Sequence, residues 1–273
     1  MSEQFDTAAS AVQRVLSEAP GLRGTGSGKP GTTGDDLITD LVAVRLYLTG
    51  PARHLDDAVR SGTVGPHVPF GRCVTAGLRR LPSFRGAARL CATLTEAEWQ
   101  WYASQRLVTE WAFCPAVAND RLRLPGTVEF WIWSTTARQA SLLEPRVPGQ
   151  VLFLPGTSFK VLRVRGEGVR GEGVRGEGHP QGQRVVLLRE VTPAEIGPDG
   201  TFRADRARQG RVPFDELALT GLQKAVADSA ASGPAEELPP GYANRFASPP
   251  GLLVKPADTG LAAASTLTSA AVA

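Results

Sequence analysis

The segment Pro148-Gly-Gln-Val-Leu-Phe-Leu-Pro-Gly-Thr-Ser-Phe-Lys-Val-Leu162 constrains this 273-residue chain more than any other stretch. Two short apolar runs flank a Pro155-Gly156 pair, which is the pattern of two strands joined by a tight turn. The spacing predicts a compact hairpin whose first strand opens near Gln150 and whose second begins at Phe159. Such a pair needs partner strands, and the sequence offers them. Val128-Glu-Phe-Trp-Ile-Trp133 alternates, with Val128, Phe130 and Ile132 on one face and Glu129, Trp131 and Trp133 on the other. Because both faces carry large apolar groups, this strand is expected to pack on both sides. Residues 108–113 and 184–191 read as further strands, and strand character also starts near Ser83.

Towards the N-terminus the period changes from two to the helical one. Leu37, Leu41, Val44 and Leu48 recur at helical spacing over 35–48, acidic residues occupy the first turn, and Gly50-Pro51 ends the run. Shorter helices are expected over 54–60 and 68–81. Thr95-Glu-Ala-Glu98 has the form of a capping box that opens a helix through Trp99 and Tyr102.

Composition narrows the function classes. With 42% hydrophobic and 21% charged residues, the chain suits an ordinary globular core with an appendage. Thirty basic against 27 acidic residues give a formal charge of +3, too small a surplus for a nucleic-acid surface. No apolar run reaches the roughly 18 residues of a membrane helix, and the first residues lack the pattern of an export signal. Cys73, Cys91 and Cys114 are scattered without CxxC spacing, which suits reduced thiols and a cytoplasmic location. His54, His67 and His179 lie far apart without metal-ligand spacing, so no metal site is expected.

Four motifs in order resemble the NAD-dependent mono-ADP-ribosyltransferases of the arginine-specific R-S-E class. Tyr47-Leu-Thr-Gly50 and Leu55-Asp-Asp-Ala-Val-Arg-Ser-Gly62 are similar to the helical N-terminal half. Leu81-Pro-Ser-Phe-Arg-Gly-Ala-Ala-Arg-Leu90 resembles the first catalytic strand, and Val108-Thr-Glu-Trp-Ala-Phe-Cys-Pro-Ala116 the strand that carries Ser-Thr-Ser. The 148–162 segment resembles the strand that carries the catalytic glutamate. From about Asp35 to Val191 the resemblance implies an α+β fold: two packed, mainly antiparallel sheets with N-terminal helices against them.

The same resemblance implies NAD as the substrate or ligand and assigns roles residue by residue. Arg85, followed by Gly86, matches the arginine that grips the dinucleotide. Cys114, Pro115 and Ala116 stand in the Ser-Thr-Ser positions, where no hydroxyl remains. Gln150 stands where the catalytic glutamate belongs, and Pro148 fills the other acidic position of the Glu-x-Glu spacing. Cleavage of the nicotinamide–ribose bond passes through an oxocarbenium-like state, which a carboxylate stabilises and an amide does not. Losing one such stabiliser typically costs about 3–4 kcal/mol. The expected function is therefore a degenerate, pseudo-enzyme module that binds NAD or an unknown protein target, with no nucleic acid and no membrane involved. The alternatives are an active protein-arginine mono-ADP-ribosyltransferase or NAD glycohydrolase with a non-standard site, and a scaffold that no longer binds NAD.

The organisation expected is a short helix and Gly-rich linker over 1–34, the main domain over 35–208, a C-terminal helix over 209–228 and a disordered tail over 229–273. Residues 165–182 are expected to form an expanded Gly-rich loop that holds a threefold Arg-Gly-Glu-Gly repeat, whose charges cancel. Loop closure depends only logarithmically on length, so deleting residues 167–176 should change the unfolding free energy by less than about 1 kcal/mol. Urea unfolding of the deletion variant checks this. A loss of several kcal/mol would mean that the repeat makes tertiary contacts.

Overall fold

The computed structural model describes residues 2–19, 34–50, 52–105, 107–166, 184–196, 213–233 and 235–252. Its helices are α1 (Ser2–Glu18), α2 (Gly34–Thr49), α3 (Ala52–Arg60), α4 (His67–Arg80), α5 (Glu96–Ser104) and α6 (Phe214–Ala231). Its strands are β1 (Gly86–Ala92), β2 (Leu107–Glu110), β3 (Cys114–Val117), β4 (Leu122–Arg123) and β5 (Val128–Ser134). β6 (Arg138–Gln139), β7 (Gln150–Phe153), β8 (Thr157–Arg165), β9 (Arg184–Val191) and β10 (Glu236–Glu237) complete the set.

Eight strands run in the order β2-β8-β9-β5-β1-β3-β7-β6. β5 and β9 are parallel and the other pairs of this sheet antiparallel. The β1–β3 junction consists of one registered pair, Arg89 with Val117. It divides the sheet into a five-stranded part and the three-stranded part β3-β7-β6. The parts share one buried core: Leu90, Phe130, Ile132, Val186 and Leu188 from the first meet Ala116, Val151 and Phe153 from the second. This is the two-sheet α+β arrangement expected.

One local expectation is corrected. β7 and β8 do not form a hairpin: β7 bonds to β3 and β6, and β8 bonds to β2 and β9. The Pro155-Gly156 turn is tight, with Thr157 N–H donating to Leu154 O at 3.2 Å. The strands then diverge into opposite parts. Phe153 and Phe159, on either side of the turn, meet edge to face across the core with centroids 5.1 Å apart. Burying both rings between the parts wins over pairing the strands, since each aromatic side chain removes a large apolar area from water. The 108–113 stretch behaves likewise and ends as β2 before the chain crosses to β3 in the other part.

β5 packs on both faces, as its alternation predicts. Val128, Phe130 and Ile132 enter the inter-sheet core, while Trp131 and Trp133 lie under α6 with Leu222 and Val226. The capping box at α5 forms, with Glu98 N–H donating to Thr95 Oγ1 at 3.3 Å and Thr95 N–H to Glu98 Oε2 at 2.7 Å. Leu41, Val42, Ala43 and Val44 of α2 are all buried, because α1, α4 and the sheet surround that helix.

The tail expected to be disordered from Ser229 is ordered through its first part. Residues 229–231 complete α6, β10 pairs in parallel with β4, and Tyr242 and Phe246 are buried against Cys91, Val117, Leu122 and Val147. Composition failed here because two aromatic anchors in an otherwise small and polar stretch suffice to dock it. Residues 167–183, which hold most of the repeat, and 253–273 lie outside the described residues.

The edge-to-face contact makes Phe159→Ala severe, with an expected loss of about 3–5 kcal/mol. Thr95→Ala removes only a cap and should cost about 1 kcal/mol. Urea midpoints of the two variants order the effects, and a mild Phe159 variant would contradict the packing described.

Candidate functional site

The turn before β7 sets the position of Gln150. Gly149 has φ +73° and sits so close to the neighbouring loop that a Cβ would lie 2.9 Å from Asn119 N. Only glycine combines that left-handed conformation with that approach. Ala118 N–H donates to Gly149 O at 2.8 Å, and Gln150 registers with Val117 of β3. Alternation then places Pro115 on the Gln150 face, while Cys114 and Ala116 turn into the inter-sheet core.

Gln150 is 1% exposed, and its Oε1 has no hydrogen-bond partner among the described residues. With Pro115 it lines a cavity of about 450 Å³ closed by Tyr47, Phe113 and four charged side chains, Asp56, Asp57, Arg60 and Arg245. Tyr47 Oη donates to Asp56 Oδ2 at 3.1 Å. Burial pushes the Asp56 carboxyl up to about 7, against the lowering influence of Arg60 and the Tyr47 hydrogen bond. Burial, followed by the Asp56 charge, also pushes the Tyr47 phenol well above its usual value.

Both cavity guanidiniums have protein partners. Arg60 Nε donates to Glu110 Oε1 at 3.1 Å. Arg245 donates from Nη1 to Tyr47 O at 2.8 Å and from Nη2 to Gly50 O, at the carbonyl end of α2. Glu110 is 1% exposed and also accepts Ala112 N–H at 2.7 Å and Gly251 N–H at 2.9 Å.

The structure does not bring all the site residues expected from the sequence together. Arg85 is exposed just before β1, has no side-chain partner among the described residues, and lies outside the Gln150 cavity. Gly86 registers with Ser134 of β5. The buried arginine of β1 is Arg89, 6% exposed, which donates to Asp120 O at 2.8 Å and to Leu122 O beside the Trp131 ring. Cavity-lining residues given no site role from the sequence include Tyr47, Asp56, Arg60 and Arg245, the first three within the 47–50 and 55–62 stretches quoted for the resemblance. Asp56 and Arg60 share a face of α3 at i,i+4, a signal that was available. Arg245 gave none, standing in a stretch without any period.

No protein-family profile and no curated protein matches the chain. Among solved structures it is similar to the type III effector XopAI from Xanthomonas axonopodis pv. citri, at 20% identity and TM-score 0.51, over 70% of this chain and 74% of that one. It is also similar to the ADP-ribosyltransferase HopU1 of Pseudomonas syringae pv. Tomato DC3000, at 13% identity and TM-score 0.49, over 65% and 82% of the two chains. A third is the Vibrio splendidus ADP-ribosyltransferase Vis, at 14% identity and TM-score 0.45, over 71% and 86%. The fold is shared with that XopAI effector. Likeness at this identity is one of fold alone, so function has to be argued from the site. Among the described residues, no cluster of His, Cys, Asp and Glu could hold a metal. No described helix is long and apolar enough to cross a membrane.

The raised Asp56 value has a signed consequence. In the unfolded chain an aspartate titrates near about 3.9, so between about pH 4 and 7 the folded state binds more protons than the unfolded one. The stability contributed by protonated Asp56 is complete below about pH 4 and lost as the pH rises through about 7. Asp56→Asn should therefore gain on wild type across that interval and hold a constant offset above it. Thermal melts of both proteins across the range check this, and a pH-independent difference would show that Asp56 titrates normally.

Proposed function

We propose that this chain is a catalytically silent ADP-ribosyltransferase-fold module that acts by binding a protein partner and does not turn over NAD. The observation that carries this reading is Gln150: an uncharged amide, buried, its Oε1 without a hydrogen-bond partner among the described residues, at the position where the resemblance places the catalytic carboxylate. Pro115 beside it offers neither hydroxyl nor N–H, and Cys114 and Ala116 face the core. Any cation forming in this cavity would have neither the family's charge nor its orienting hydroxyl.

The cavity also fits the dinucleotide poorly. A diphosphate calls for unengaged guanidinium or backbone donors. Here Arg60 gives its Nε to Glu110 and Arg245 gives both terminal nitrogens to the carbonyls of Tyr47 and Gly50, while Asp56 and Asp57 add carboxylates to the wall. Arg85, which the resemblance makes the phosphate grip, lies elsewhere. The reading that the scaffold no longer binds NAD is favoured over NAD binding on these grounds.

One observation favours an active enzyme instead. Asp56 places a carboxyl in the same cavity as Gln150, where it could supply the missing negative charge from the helical side. Nicotinamide release from NAD separates the readings. Wild type should release none above the buffer rate, and calorimetric titration of NAD should give no saturable heat. Measurable wild-type release that Asp56→Asn abolishes would put the active enzyme first. Saturable NAD binding without release would restore the NAD-binding module.

A further inference from the structure

We propose that residues 236–252 form a lid over the Gln150 cavity, held by two polar latches and able to open as a unit while the two-sheet core stays folded. Gly241, Asn244, Arg245 and Ser248 form one wall of the cavity, opposite α3 and the Pro115–Gln150 surface. Beneath the lid, Tyr242 and Phe246 cover Cys91, Val117 and Val147. Any ligand or partner reaching Gln150 from that side meets the lid first.

The first latch is Arg245. The last carbonyls of a helix lack intrahelical donors, and a guanidinium satisfies them and suits the negative end of the dipole. Arg245 does this for Tyr47 and Gly50, which pins the middle of the lid to the end of α2. The second latch is at the far end. Gly251 N–H donates to the buried Glu110 carboxylate at 2.9 Å, and Tyr102 Oη donates to Pro250 O at 2.5 Å. Gly251 has φ +77°, and a Cβ there would lie 2.9 Å from Val108 Cβ, so the chain reaches Glu110 only because this residue is glycine.

Backbone pairing of the lid to the body is slight. Among the described residues it amounts to the two-residue β10–β4 ladder and Glu236 N–H to Arg121 O at 2.8 Å, both at the start of the lid. From Tyr242 onward the contacts among the described residues are side-chain anchors, Leu252 at the margin of the inter-sheet core included, and the two latches. A segment attached in this way opens at a lower free energy than strands inside a ladder. Glu110 also links the lid to the cavity, since one of its oxygens holds Arg60 and the other holds Gly251. A ligand that draws Arg60 away from Glu110 would alter the latch from inside.

Two native cysteines report on the lid without any ligand. Cys91 lies under Tyr242 and Phe246, whereas Cys114 lies in the inter-sheet core. Burial, followed by the Glu129 charge, pushes the Cys91 thiol up to about 12, so it is inert while covered. The test is the rate of iodoacetamide alkylation at each cysteine, read by mass spectrometry, in full-length wild type, Arg245→Ala and Gly251→Val. Each substitution breaks a different latch. The expected result is Cys91 alkylation at least about tenfold faster in both variants, with Cys114 unchanged from wild type. Equal acceleration of both thiols would mean global unfolding and overturn the lid, as would an unchanged Cys91 rate in both variants. Because the reporter is a native thiol, the outcome does not depend on whether NAD binds.

Discussion

Much of this structure converges on the buried carboxylate of Glu110. One oxygen holds Arg60 of α3 and the Ala112 N–H where the chain leaves β2, and the other holds Gly251 near the end of the described chain. Its own carbonyl accepts the Gly156 N–H at 2.8 Å, which ties in the turn between β7 and β8. Helix α3, the end of β2, the turn between β7 and β8 and the C-terminal segment thus meet at one residue. A carboxylate is tolerated at 1% exposure only because a guanidinium and two N–H groups replace its water. Removing one partner of such a buried pair typically costs about 3–5 kcal/mol, since the other charge stays behind unpaired.

Elements whose side chains face one environment per side were legible in the sequence. β5 could be read residue by residue because its even and odd positions meet two different cores, and α5 because Thr95 and Glu98 satisfy each other locally. What failed was non-local. Nothing in Pro155-Gly156 says whether the strands on either side will pair or part, a choice made by Phe153 and Phe159 meeting across the core. The tail was misread for a related reason, since its anchoring depends on a surface formed by Cys91, Val117 and Val147, far away in sequence.

The candidate site divides the same way. Gln150 was legible because it sits beside a turn of recognisable chemistry, and the structure gives it a cavity. Arg245 belongs to that cavity through tertiary placement only, whereas Asp56 shares a face of α3 with Arg60 at i,i+4. Arg85 shows the converse: a residue matched by motif that lies exposed, while Arg89, four positions along, is the buried guanidinium serving the 120–122 loop. The packing of this fold thus coexists with polar groups that hold helix ends and loops.

The single registered pair between β1 and β3 has a mechanical consequence. Pro115, two residues along β3 from Val117, has no N–H with which to extend that ladder. Side by side, the two parts of the sheet are thus joined at one rung. Sliding of one part past the other at this seam is resisted by interlocked side chains and not by a row of hydrogen bonds. The segment leading into β1 adds a separate backbone tie, the Ser83–Arg138 bridge to β6, so load across the molecule would pass through two short ties and the packed side chains between them.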